Sequence, residues 1–462
     1  MALFLLLIFI IVEIGFAVYG FTLAKDPESS SKKKWTLKRL IVSGAELAVY
    51  LLMMLLPGID FSFRFKGLAI MLVLRIVLAG IFALINRKNV KPKKKVFMIL
   101  SAICGIFFLG TSMIPAFLIT DYKGRTLTGE YEVSQCEAIF VDEGRVETFE
   151  NDGSCREVPV HFYYPANVAD LPADSLPLVL FSHGAFGYYQ SNSSTYMELA
   201  SNGYVVVSMD HPYHSFFTKD TRGKTITVDP GFFQTALTVG NAEMDEMSEA
   251  EVYEVTSKWM ELREADMNFV LDELEKADGA EELPENWHFD AKQKNTILSV
   301  LDAINYDKIG LMGHSLGGAT AVTVGRRDDV SAVIDLDGTM LGEETGVKDG
   351  VLTLNEEPYD TPLLSIVSEV HHEEEAEAEQ IGYLYVNTYV MEHATDGYET
   401  YFKNTDHMNF TDLPLFSPVL AAKLGIGPVD AGECIDGVNA RVLGFFNCYL
   451  KGEGGFSVEE SY

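Results

Sequence analysis

The chain has 462 residues, with 35 Lys/Arg against 67 Asp/Glu, a net charge of −32 and 48% apolar residues. That length allows two or three domains, one of them able to bury a sizeable core. Residues 1–120 carry 15 Lys/Arg and 5 Asp/Glu, a net of +10, and the rest carries −42; this excludes one uniform globule, and it excludes nucleic acid as a partner of the acidic part, which would repel phosphates.

Four apolar stretches come first, at Leu3–Leu23, Leu40–Leu56, Leu68–Ile85 and Val96–Ile119. Each is close to the roughly 17–25 residues that cross a bilayer as a helix, which predicts an all-α domain of four transmembrane helices over residues 1–120. The first stretch lacks a basic segment before it and is too long for a cleaved leader. Lys25, Lys32, Lys33, Lys34, Lys38 and Arg39 separate the first two stretches. Arg87, Lys88, Lys91, Lys93, Lys94 and Lys95 separate the last two, whereas the middle connection has only Arg64 and Lys66. The positive-inside rule puts both basic connections in the cytoplasm, against anionic lipid. The expectation is a multi-pass cell-membrane protein whose later residues are extracytoplasmic. Glu13, Glu46 and Arg75 fall inside the stretches. Glu13 and Arg75 reach similar depths, so a structural pair between them is expected in preference to a transport role.

Residues 121–130 read as a short polar linker, and residues 131–462 as a catalytic domain. Tyr131–Val141 and Glu157–Tyr164 read as extended segments, and Leu176–Ser182, Gly203–Asp210, Lys308–Met312, Ala332–Asp337 and Pro362–Ser368 as short buried strands. Helical patterns alternate with them, as in Val252, Val255, Trp259, Leu262, Phe269 and Leu274 along one face. This alternation predicts an α/β fold with a doubly wound, mainly parallel sheet. The acidic run Glu373–Glu379 reads as a solvated helix face.

Gly313-His314-Ser315-Leu316-Gly317 is a G-x-S-x-G pattern between a strand and a small-residue helix. Such a turn leaves no room for side chains at the glycines and lifts the Ser315 hydroxyl clear of the sheet, where a base can reach it. The Leu316 N–H then faces any oxyanion, and Ala185, in the turn Ser182-His183-Gly184-Ala185, is the second candidate donor. The acid and base of such a site follow the serine in the order acid, then histidine. Asp337, closing a strand, is the candidate acid, with Asp335 as a rival within that strand. His407, in the polar loop Asn404-Thr405-Asp406-His407, is the candidate base, with His393 the weaker alternative. His371 and His372 read as surface residues beside the acidic run. No Cys/His cluster has zinc-ligand spacing, and no metal or cofactor is implied.

Phe181-Ser182-His183-Gly184, Gly313 to Thr320, Leu336-Asp337 and His407-Met408-Asn409-Phe410 resemble the plasma-type platelet-activating factor acetylhydrolases, also called lipoprotein-associated phospholipases. The resemblance runs over about Tyr131–Leu450 and leaves out the four apolar stretches. It implies an α/β-hydrolase fold and calcium-independent hydrolysis of phospholipids with short or oxidised sn-2 acyl groups. Those enzymes have Leu where this chain has Ala185, and Phe where it has Leu316; both positions act through backbone N–H, so the chemistry survives while pocket shape differs. The reading is thus a membrane-anchored serine esterase with a Ser315–His407–Asp337 triad, whose partners are a lipid or small ester and the bilayer. A general carboxylesterase or polyester hydrolase shares these motifs, and an inactive membrane scaffold is the alternative from another class. Cys136, Cys155, Cys434 and Cys448 fall on the oxidising side of this topology, so disulfides 136–155 and 434–448 are expected against buried free thiols.

Overall fold

The computed structural model describes residues 1–23, 31–240 and 247–462, so Lys25 lies outside the described residues. The chain divides into two units: residues 1–123 with 415–420, and residues 124–414 with 421–462.

The first unit contains four long helices, α1 (Ala2–Leu23), α2 (Lys32–Met53), α3 (Phe63–Ile85) and α4 (Lys95–Ser112). Among the described residues only α1, α3 and α4 are long and apolar enough to cross a membrane, so the four predicted spans become three. The reason lies in α2. Lys32, Lys33, Lys34, Lys38 and Arg39 are helical rather than connecting, and the helix ends at Met53, before Leu56. Its apolar part from Leu40 is only about 21 Å long at 1.5 Å per residue. The last stretch is also interrupted, at Met113, because Pro115 starts a separate short helix, Ile114–Leu118. Glu13 is fully buried and pairs with Arg75 as expected. It also accepts two bonds of 2.8 Å from Arg39, and Glu46 lies 3.2 Å from Arg75. Charges buried among apolar helices persist only when paired in this way.

The second unit is built on a nine-stranded sheet among the described residues. Its strands are β1 (Val133–Val146), β2 (Cys155–Pro165), β3 (Leu176–Ser182), β4 (Val205–Met209), β5 (Trp287–His288), β6 (Ile304–His314), β7 (Val330–Leu336), β8 (Leu363–Ser368) and β9 (Gly397–Phe402). The spatial order is β9-β8-β7-β6-β3-β4-β2-β1-β5. From β9 to β4 the pairing is parallel, and β2, β1 and β5 complete an antiparallel edge. Every residue of β3, β4 and β8 is buried, as continuous apolar strands must be when helices cover both faces. Alternation divides the core. Leu178 and Leu180 join Val205, Val207, Leu311 and Val333 on one face, under Met267, Val270 and Leu274 of helix α5 (Glu249–Lys276). Val179 and Phe181 join Val206, Met312 and Ile334 on the other, against Val438, Val442 and Phe446 of helix α8 (Ala431–Lys451). Helix α6 (Leu316–Val324) follows β6, and helix α7 (Glu369–Ile381) follows β8.

The disulfide expectation fails, since all five cysteines are free. Cys136 stands opposite Phe162 in the β1–β2 ladder, seven positions from Cys155 on the same strand. That puts the two sulfurs on the order of 20 Å apart. Cys434 and Cys448 share α8, 14 residues apart, which is about 21 Å along its axis. A disulfide needs Cα atoms within about 7 Å.

Candidate active site

Ser315 stands between β6 and α6 with φ 56° and ψ −129°, a backbone conformation that only a constrained turn imposes on a side-chain-bearing residue. A Cβ on Gly313 would overlap the Gly317 carbonyl, and one on Gly317 would overlap that of Ser182. Neither glycine can therefore be replaced without moving backbone. The elbow is tied to the next strand by Ser315 N–H donating to Leu336 O at 2.9 Å. Gly184 brings the Ser182–Ala185 turn against it, because a Cβ there would sit 3.0 Å from that of Ser315. The N–H groups of Ala185 and of Leu316, the first residue of α6, donate to no protein acceptor among the described residues.

Asp337 caps the end of β7 with φ 54°, and its N–H is held by Ile366 O at 2.8 Å. Its Oδ2 accepts from His407 Nδ1 at 2.7 Å. His407 is presented by a capped turn, in which Asp406 accepts from the His407 N–H at 2.6 Å while Asn409 Oδ1 accepts from the Asp406 N–H at 2.9 Å. The His407 ring lies 4.6 Å from that of His314, next to the serine. Sequence order therefore brought Ser315, Asp337 and His407 to one end of the parallel strands. Asp335 plays a different part. Buried beneath α6, it accepts from Gly338 N–H at 3.1 Å, and burial pushes its carboxyl well above the usual range. His393 bonds to Tyr389 O at 2.7 Å and stacks on that ring.

His371 is the main departure from the sequence reading. It is buried rather than superficial, and its Nδ1 lies 3.2 Å from Asp337 Oδ1. Its Nε2 meets Tyr385 Oη at 2.8 Å and lies 3.7 Å from Glu375, which is buried although it belongs to the acidic run. Burial opposes a charge on His371, but the Asp337 hydrogen bond and charge, then Glu375 and Asp335, raise it to about 9. In return, bonds from His371 and His407 hold the buried Asp337 carboxyl well below its ordinary value, against its desolvation. Ser368 N–H adds a bond of 2.6 Å to the same oxygen that faces His371. No local signal reveals this. His371 meets Asp337 only because β8 pairs with β7 and Ser368, which ends β8, caps the start of α7.

A second buried group lies behind the Ala185 turn. Arg263 of α5 is fully buried and donates to His183 O at 2.5 Å and Gly184 O at 3.3 Å, while its Nε faces His214 Nδ1 at 3.3 Å. Three positions along, Asp266 accepts from Arg156 at 2.7 Å and His211 at 2.9 Å. Burial, then the Arg263 charge, lowers His183 and His214 far below the usual imidazole range and brings His211 to about 4. The most buried face of α5 thus runs through Thr256, Met260, Arg263, Asp266, Met267 and Val270; of the predicted stripe Leu274 is buried, while Val252, Val255, Trp259, Leu262 and Phe269 are half-buried at its margin. An apolar wall flanks both oxyanion candidates, with Phe232, Met260 and Ala319 around Leu316, and Ala185 and Phe186 beside them. Phe232 comes from an apolar helix, Pro230–Gly240.

A family model described as "Platelet-activating factor acetylhydrolase, isoform II" matches residues 156–458, about two thirds of the chain. This chain belongs to that family. The family member described as platelet-activating factor acetylhydrolase from Canis lupus familiaris is 28% identical over 155 residues, which cover 32% of each protein. The chain thus matches about a third of that relative's length. Among solved structures, a ferulic acid esterase from Streptomyces cinnamoneus superposes with TM-score 0.51 at 20% identity, over 71% of this chain and 93% of the esterase. That likeness identifies the fold as the one this acetylhydrolase family was expected to have.

Proposed function

We propose that the protein is a membrane-anchored serine hydrolase of carboxylic esters, acting on phospholipids with short or oxidised sn-2 acyl groups. Ser315 Oγ attacks the acyl carbonyl as His407 Nε2 takes its proton, and Asp337 orients and stabilises the resulting imidazolium. The Ala185 and Leu316 N–H groups receive the tetrahedral oxyanion. Collapse breaks the ester bond, and the departing alcohol leaves with the proton from His407. Water, activated by the same histidine, then cleaves the acyl-enzyme to release the carboxylate and restore Ser315. The observation that carries this reading is a serine held at φ 56° between two glycines that tolerate no Cβ, with a 2.7 Å Asp337–His407 bond at the same sheet edge.

The acyl length follows from the wall around Leu316. Phe232 and Met260 pack against it and narrow the space beside the proposed oxyanion donors, which favours a short acyl group. Each extra methylene is worth about 0.8 kcal/mol only where a groove buries it. Nitrophenyl acetate and butyrate should therefore give higher kcat/KM than the palmitate, below micelle-forming concentrations. A rising trend would overturn the substrate class. Fluorophosphonate labelling of the full chain, lost in Ser315→Ala, tests the nucleophile; undiminished labelling would reject it. The smaller Ala185 and Leu316 side chains also support a broader carboxylesterase reading, which equal rates on soluble esters and short-chain phosphatidylcholine would favour.

The orientation is part of the same proposal. Residues 31 and 92 form a bridge, and Lys32 N–H donates to Lys91 O at 2.9 Å, so both basic segments share one end of the bundle. With that end cytoplasmic, α4 leads outward and the catalytic unit is extracytoplasmic. Protease added to intact cells should digest residues beyond 123; protection there would reverse the orientation.

A further inference from the structure

We infer that the first unit holds a specific site for one anionic phospholipid, formed where the start of α2, the end of α3 and the start of α4 enclose a cavity of about 710 Å³. All of its lining residues belong to the first unit, and the volume falls within the roughly 300–1,000 Å³ of ligand cavities. The source of the ligand rests on the membrane reading above; the hydrolase chemistry does not enter.

Charge is the first argument. Lys32, Lys91, Lys93, Lys94, Arg39 and Arg75 line the cavity, and no Asp or Glu does. Arg39 and Arg75 are paired with Glu13 and Glu46. The four lysines form no ion pair among the described residues, leaving an excess of four positive charges over one opening. Lys93 is half-buried, its Nζ 5.3 Å above the Trp35 ring. The rim is built rather than accidental, because Lys32 N–H bonds Lys91 O at 2.9 Å and Lys33 N–H bonds Asn89 O at 3.1 Å.

Unmet donors are the second argument. Among the described residues, the indole N–H of Trp35, only 3% exposed, and Nη1 of the buried Arg75 guanidinium both lack a partner. Both residues line the cavity. A buried donor left unpaired is costly, the more so when charged, so two on one cavity mark a place for oxygen acceptors. Trp35 is also fixed in place, stacked on Phe16 at 4.3 Å and seated over Gly20. Below the lysines the walls are apolar, with Leu78, Phe82, Phe97 and Leu100. Cationic rim, unpaired donors and apolar walls together match a phosphate head with an acyl tail, and the tail distinguishes this occupant from free phosphate.

The test uses the full chain carrying Ser315→Ala in mixed vesicles of phosphatidylcholine and phosphatidylglycerol, extracted in mild detergent, with retained lipid counted by native mass spectrometry. One phosphatidylglycerol should be retained at least 10-fold over its share of the vesicle. Lys91→Gln/Lys93→Gln/Lys94→Gln should abolish that enrichment, and the corresponding triple Arg variant should keep it. Inorganic phosphate at millimolar concentration should not displace the lipid. Equal retention of both lipids, enrichment that survives the triple Gln variant, or displacement by phosphate would each overturn the site. Retention of no phospholipid at all would overturn both the site and the membrane reading, whatever the esterase assays give.

Discussion

Replacing His371 with Gln keeps a donor near Asp337 but removes a titratable charge. In the folded chain this imidazole binds its proton with a value of about 9, against 6.5 when free. The shift corresponds to roughly 3 kcal/mol at 1.36 kcal/mol per unit, with little solvent screening for a side chain 7% exposed. Because the folded value is the higher one, the contribution is complete below pH 6.5, declines as pH rises, and is gone above about pH 9. His371→Gln should therefore lower the unfolding midpoint on the order of 5 °C at pH 6 and by little at pH 10. Trp259 and Trp287 lie in the second unit and Trp35 in the first, so tryptophan fluorescence of the full chain carrying Trp35→Phe, in one detergent, reports melting of the second unit. An equal loss at both pH values would refute the reasoning, since a neutral, merely space-filling His371 predicts no pH dependence.

Three further outcomes follow from the same geometry. Arg263→Met leaves the His183 and Gly184 carbonyls without their buried donor and frees the peptide that aims Ala185 N–H; kcat on nitrophenyl acetate should fall about 10- to 100-fold, below the 10²–10³ for losing an oxyanion donor itself, with KM nearly unchanged, and an unaltered kcat would remove Arg263 from the positioning of that turn. Gly317→Ala places a Cβ into the Ser182 carbonyl, so it should cost more than about 3 kcal/mol and give little folded protein; a soluble, active variant would mean the elbow is looser than described. With five free thiols, a reductant should leave the melting midpoint unchanged, and denatured, unreduced protein should take up five alkyl groups; fewer would show that a disulfide forms.

What the sequence made legible was local. The elbow glycines, the buried strands and the polar histidine loop each declare themselves within about ten residues, since steric fit, periodicity 2 and turn chemistry are short-range. Asp337 could be chosen over Asp335 because a strand's last residue faces the loop edge while its interior faces the core. What stayed hidden was everything set by pairing across the sheet. His371 looks like part of a charged surface run until β8 docks beside β7. Arg263 and Asp266 look like the solvent side of an acidic helix until α5 turns that face onto the sheet. The membrane count failed for a related reason, because hydropathy marks apolar residues and not the point at which a helix stops, here Met53.

Those hidden residues share a physical logic. Arg145, Arg156 and Arg263 are matched by Asp142, Glu147 and Asp266, but the match is uneven. Asp266 is taken up by Arg145, Arg156 and His211, whereas among the described residues Arg263 bonds only carbonyl oxygens and a neutral imidazole. A fully buried cation without a contacting carboxylate is costly, and apolar residues of similar volume would give a more stable helix–sheet contact. The arrangement makes sense at the turn it supports. By holding the His183 and Gly184 carbonyls, Arg263 fixes the peptide whose opposite edge is the Ala185 N–H, the proposed oxyanion donor. If Ala185 is an oxyanion donor as proposed, the Arg263 charge, balanced at a distance instead of at contact, would add a positive field behind that donor in a low-dielectric interior. The stability given up in α5 is thus placed where a rigid, positively biased oxyanion turn gains from it, and local sequence rules break at the same spot.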